Sequence, residues 1–133
     1  MRTWKAVQAA AVALTCVVAL PAAADDAKVT PLMARDLTDI GGKEGVVLTV
    51  EDAPGGSSTR HRHNAHTFVY VLEGSVVMQV AGADPVTLGP GQTFYESPAD
   101  VHVVSKNASD SRPAKFLVFF VKDTGAPPVL PAP

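Results

Sequence analysis

The chain has 133 residues, with 11 Lys and Arg against 13 Asp and Glu, four His, a single Cys and a formal net charge of −2. That length suits one domain around one core. The acidic balance, without any basic run, excludes nucleic acid as an expected partner, and one cysteine excludes a disulfide framework.

Residues 1–24 read as a secretory signal peptide. "MRTWK" gives a basic start, the uncharged stretch from Ala6 to Leu20 gives the apolar region, and "PAAADD" gives a break with cleavage expected after Ala24. The apolar stretch is 15 residues, short of the roughly 20 that a spanning helix needs, so no membrane partner is expected once it is removed. Thr15 before Cys16 is a poor fit to a lipoprotein acylation site. Cleavage removes Arg2, Lys5 and Cys16 and no acid, which would leave a net charge of −4 and no thiol. The expected location is outside the cytoplasm, periplasmic or extracellular.

Residues 25–44 are polar and read as a poorly ordered N-terminal arm or an edge strand. From 45 to 122 the pattern has no helical period. Short apolar runs rich in β-branched residues recur at 45–51, 67–73, 75–81, 85–88, 92–96, 101–105 and 114–122, and each reads as a strand. Between them lie turn-forming segments such as "DAPGGSS", "EGS", "GADP", "GPGQ" and "SPAD". Residues 123–133, "DTGAPPVLPAP", form a proline-rich tail expected to be extended or disordered. There is no internal repeat. The fold class is therefore all-β, a single antiparallel sandwich or barrel domain over 45–122.

Three of the four histidines fall in "HRHNAH", at His61, His63 and His66; the fourth is His102. Residues two apart on a strand share a face, so His61 and His63 aim both imidazoles at one point while Arg60 and Arg62 face away. Neutral imidazole is the commonest metal ligand. Elsewhere Gln79, Gln92, Tyr95 and Glu96 are the polar residues able to line a cavity, and strand alternation admits only one of Tyr95 and Glu96. Tyr70, Met78, Phe94, Phe116 and Phe119 read as core. No Ser–His–Asp set, phosphate loop or carboxylate pair stands out, so any catalysis must come mostly from a metal.

Over about residues 45 to 122 the chain resembles the cupin superfamily. Gly56, His61, His63 and Gly74 fall on the first cupin motif, with "YVLEG" (70–74) typical of it. Gly91, Pro98, His102 and Asn107 fall on the second. The resemblance implies a small jelly-roll β-barrel, or double-stranded β-helix, holding a divalent transition metal (Zn, Fe, Cu, Ni or Mn). It implies that His61, His63 and His102 bind this metal. It also implies a glutamate ligand that this chain does not supply. Counting back seven from Gly74 reaches Thr67, which has the right strand parity but weak ligand chemistry. His66, one residue earlier, has the right chemistry and needs a turn at "NA" (64–65) to face inward. His66 is taken as the fourth ligand, with Thr67 the alternative.

Three or four neutral nitrogens would leave the charge of a divalent ion uncompensated, which favours a small anionic molecule as partner. The expected activity is that of a metal-dependent, dioxygenase-like oxidoreductase. The alternatives are a non-catalytic binding module or sensor and a metal-free structural barrel. Small cupins commonly pair through edge strands, so a homodimer is expected from the resemblance.

Overall fold

The computed structural model describes residues 27–133, so the signal segment lies outside the described residues. Among the latter there is no helix. Eleven strands run in order: β1 Lys28–Asp36, β2 Lys43–Asp52, β3 Ser57–Ser58, β4 His61–Arg62, β5 His66–Glu73, β6 Val76–Val80, β7 Val86–Leu88, β8 Thr93–Glu96, β9 His102–Asn107, β10 Ala114–Asp123 and β11 Leu130–Pro131. Every strand expected from the sequence is present. The polar arm adds β1, an edge strand antiparallel to β2.

The strands form two facing antiparallel sheets, a jelly-roll barrel. One has the order β1-β2-β10-β5-β8; the other has β11-β4-β9-β6-β7, with β3 also on β9. Alternation decides which side chains enter the space between them. On β5, Thr67, Val69 and Val71 are buried, while His66, Phe68, Tyr70 and Leu72 are exposed. On β10, Ala114, Phe116, Val118 and Phe120 turn inward. With Leu48, Val76, Met78 and Leu88 they form the apolar core. Of the five residues read as core, Met78 and Phe116 are fully buried, and half-buried Phe94 packs against the core. Tyr70 and Phe119 are not core: Tyr70 shares the outward parity of Phe68, and Phe119, between inward Val118 and Phe120, stacks on Phe68 on the outer face with ring centroids 5.9 Å apart.

Lys122 continues the inward parity of β10 and is 4 % exposed. Its ammonium binds the Glu44 carboxylate and donates to the carbonyls of Asp123 (3.2 Å) and Ala126 (2.5 Å). That anchor directs the proline-rich tail back across the barrel, where β11 pairs with β4. At the opposite turn, Gly74 has φ +69, and a Cβ there would lie 2.5 Å from the Pro113 carbonyl oxygen. Only glycine fits between β5 and β6.

Candidate metal centre

His61 and His102 stand directly opposite each other on the antiparallel strands β4 and β9. Cross-strand partners point to the same side of their sheet, which brings two rings 41 residues apart in sequence into contact, with centroids 5.0 Å apart. His63 follows β4 with the same parity as His61, and its ring lies 4.8 Å from that of His61. One nitrogen from each of His61, His63 and His102 falls within 4.8 Å of the others. All three rings sit in the inter-sheet space, with Phe120 5.0 Å from His63 and Phe94 stacked 6.0 Å from His102.

Backbone carbonyls orient two of the rings. His61 Nδ1 is 2.7 Å from the Thr59 carbonyl oxygen and His63 Nδ1 is 2.6 Å from that of Pro128. A carbonyl only accepts, so each Nδ1 carries the proton and each Nε2 keeps its lone pair. Metal-binding imidazoles are commonly held in this way. Burial pushes the His63 pKa below the ordinary imidazole value, against a smaller opposing pull from the Glu96 charge and the Pro128 carbonyl. His63 is thus held neutral, the form that binds a metal.

The structure moves His66 out of this group, a correction to the expected fourth ligand. Asn64 does adopt a left-handed turn (φ +48), but the chain re-enters regular pleating at once. His66 begins β5 on its outer face, and its Nδ1 lies 2.8 Å from the Tyr95 hydroxyl, on the outside of the barrel. Thr67 faces inward and is 1 % exposed.

Glu96 is far closer to the centre than its place among several cavity candidates suggested. It is 1 % exposed, with Oε1 3.3 Å from His102 Nδ1 and Oε2 3.8 Å from His63 Nε2. Its signal lay in "QTFYE": Phe94 and Glu96 share a parity, so an inward Phe94 carries Glu96 inward and leaves Tyr95 outside. Of the other cavity candidates, Gln79 donates to the Ala83 carbonyl and Gln92 accepts from the Gly89 amide; neither lines the cavity.

Thr67 Oγ1, both Glu96 oxygens and both His102 ring nitrogens are buried without a hydrogen-bond partner. Buried polar atoms are nearly always satisfied, so five orphans on three neighbouring residues fit a bound cation. The nitrogen and carboxylate donors suit a divalent transition ion. The cluster opens into a cavity of about 330 Å³ whose walls are largely aliphatic and aromatic, among them Leu48, Val69, Met78, Phe116 and Val118. No lysine or arginine lines it among the described residues. Its rim includes Val29 and Val129, both half-exposed.

The family model described as Cupin domain matches residues 48–120. No curated protein matches the chain. Among solved structures, DMSP lyase DddQ from Ruegeria pomeroyi DSS-3 is 26 % identical, with a TM-score of 0.57 over 65 % of this chain and 42 % of that one. This chain therefore spans less than half the length of that lyase. The TT1209 protein from Thermus thermophilus is also 26 % identical, with a TM-score of 0.56 over 72 % of this chain and 83 % of that one. The Schizosaccharomyces pombe Cnp3 cupin domain shares the fold at 14 % identity, with a TM-score of 0.61 over 74 % and 62 %. Two histidines from the first motif and one from the second meet between the sheets of this jelly roll, and the chain belongs to the cupin domain family.

Proposed function

We propose that this cupin is an exported metal-dependent enzyme acting on a small molecule, with His61, His63 and His102 holding a divalent transition ion. The observation that carries the reading is the convergence of three ring nitrogens within 4.8 Å at a buried cavity, with two of the rings already oriented by carbonyls. A bound ion would supply Lewis-acid and oxygen-activating chemistry there. The chain's own residues do the rest. The Thr59 and Pro128 carbonyls orient the rings, and the aliphatic walls exclude water and hold the apolar body of the substrate. Because no lysine or arginine among the described residues lines the cavity, an anionic group on the substrate is best neutralised at the metal. That favours a molecule whose single charged or enolic oxygen lies at one end.

Oxygen-dependent oxidation is the first activity to assay. Protein loaded with Fe(II), Cu(II) or Ni(II) should consume oxygen with β-diketones, catechols or α-hydroxy acids, and the metal-free protein should not. Saturable binding with no turnover under any loading would replace the enzyme with a binding module. The likeness to a DMSP lyase favours a second reading, elimination without oxygen. Anaerobic turnover of DMSP would select it.

Export rests on the signal-like N-terminus, and N-terminal sequencing of the exported protein should begin at Asp25. Pairing into a homodimer is supported by Phe68, Tyr70 and Tyr95, which leave a half-exposed aromatic face beside edge strand β8. Sedimentation of the parent as a dimer, and of Phe68→Ser as a monomer, would bear this out.

A further inference from the structure

We infer that Glu96 is the carboxylate ligand of this metal site, delivered from β8 to the place that the cupin motif assigns to a glutamate on β5. The inference rests on the metal reading above and adds a residue to it. The motif position is Thr67, counted back seven from Gly74. Its register partner across the β5–β8 ladder is Glu96. Directly opposed residues have Cβ atoms roughly 4.5–5.5 Å apart and share a face, so a glutamate side chain on either strand reaches the same volume. Thr67 is short and leaves that volume open.

The distances are close to those around a shared ion. Donors bound at ~2.0–2.2 Å around one tetrahedral ion lie roughly 3–3.6 Å from one another. Glu96 Oε1, 3.3 Å from His102 Nδ1, falls within that range, and Oε2, 3.8 Å from His63 Nε2, lies just beyond it. Neither carboxylate oxygen has a hydrogen bond, and Thr67 Oγ1 beside them has none either. Stranding a carboxylate in this way costs several kcal/mol unless a cation meets it. Among the described residues no lysine or arginine lines the cavity, which leaves a bound ion or a protonated His102 or His63 ring to do so.

A consequence for the substrate follows. With one carboxylate among the ligands, a divalent site carries about one net positive charge instead of two. A molecule presenting a single anionic oxygen neutralises it completely, while a dianion would leave a charge unmatched in an apolar cavity.

The register supplies a direct test. Cu(II) is bound to the parent, to Glu96→Gln, to Glu96→Thr and to the strand-swapped pair Thr67→Glu with Glu96→Thr. Zn(II) affinity is measured by chelator competition and the copper ligand field by electron paramagnetic resonance. We expect Glu96→Gln and Glu96→Thr to weaken Zn(II) by at least ~10-fold and to shift the copper g and hyperfine values. The swapped pair should recover most of the affinity and a spectrum near the parent's. Glu96→Gln is isosteric, so it decides the question even if the swap disturbs folding. A Glu96→Gln protein with the parent's spectrum and affinity, alongside a His102→Ala protein that has lost the metal, overturns the assignment while leaving the metal site intact. A parent that takes up neither ion overturns both.

Discussion

At the residue scale, the site depends on what each side chain's other atoms are doing. His61 and His63 can offer Nε2 only because carbonyl oxygens hold their Nδ1 protons. Asn107, the asparagine of the second motif, shows the same economy away from the cavity. Its amide donates to the carbonyls of Asp52, Ala53 and Arg112, and its oxygen accepts from the Ser109 amide, tying two loops to the end of β9. Beside it, Asp52 is 4 % exposed, and burial raises its pKa to about 6. The folded state therefore holds the Asp52 proton more tightly than the unfolded state, whose value is near 3.8. The resulting stability is complete below that value and is lost as pH rises through about 6. Asp52→Asn should equal the parent in urea unfolding at acid pH and exceed it by about 1–2 kcal/mol at pH 8. A constant difference across that range would show that the shift is not expressed in folding. The three clustering histidines were legible in the sequence because both a two-residue spacing and two ordered motifs marked them. Glu96 and His66 were not. One hid in a run whose inward parity could not be known, and the other lay beside a turn whose handedness did not reverse its face.

At the element scale, β4 and β9 supply the decisive contact, and the tail completes it. β4 is only two residues long, so the site depends on its neighbours for rigidity. β11 pairs with β4, and the adjacent Pro128 carbonyl orients His63. Truncation after Ala126 removes both while sparing every long strand. It should leave the far-ultraviolet spectrum native and weaken metal binding by ~10–100-fold, the usual cost of losing a partner behind a ligand. Unchanged affinity would show that His63 needs no such support. Gly74 is constrained differently. Gly74→Ala must relieve both a positive φ and a 2.5 Å approach to the Pro113 oxygen, and should lose at least ~2 kcal/mol in chemical denaturation. A loss below ~0.5 kcal/mol would mean that the turn adapts freely. The strands were legible because period-two patterns and turn residues are local signals. The tail's role was not, since its pairing with β4 spans 68 residues from Arg62 to Leu130 and depends on the buried Lys122 anchor.

At the scale of the whole molecule, two sheets divide the labour. One carries His61 and His102 on β4 and β9; the other brings Thr67 and Glu96 across the gap on β5 and β8. A cation between them would join the sheets as well as create chemistry, so metal binding and stability should rise together. Calorimetric titration of metal-free protein with Zn(II), followed by thermal unfolding, measures both in one sample. One ion per chain and a Tm that climbs with free Zn(II) are expected for the parent, with both effects absent from the His61→Ala, His102→Ala double variant. A parent that binds no ion, or a double variant that binds and stabilises as the parent does, would contradict a site built from these three imidazoles.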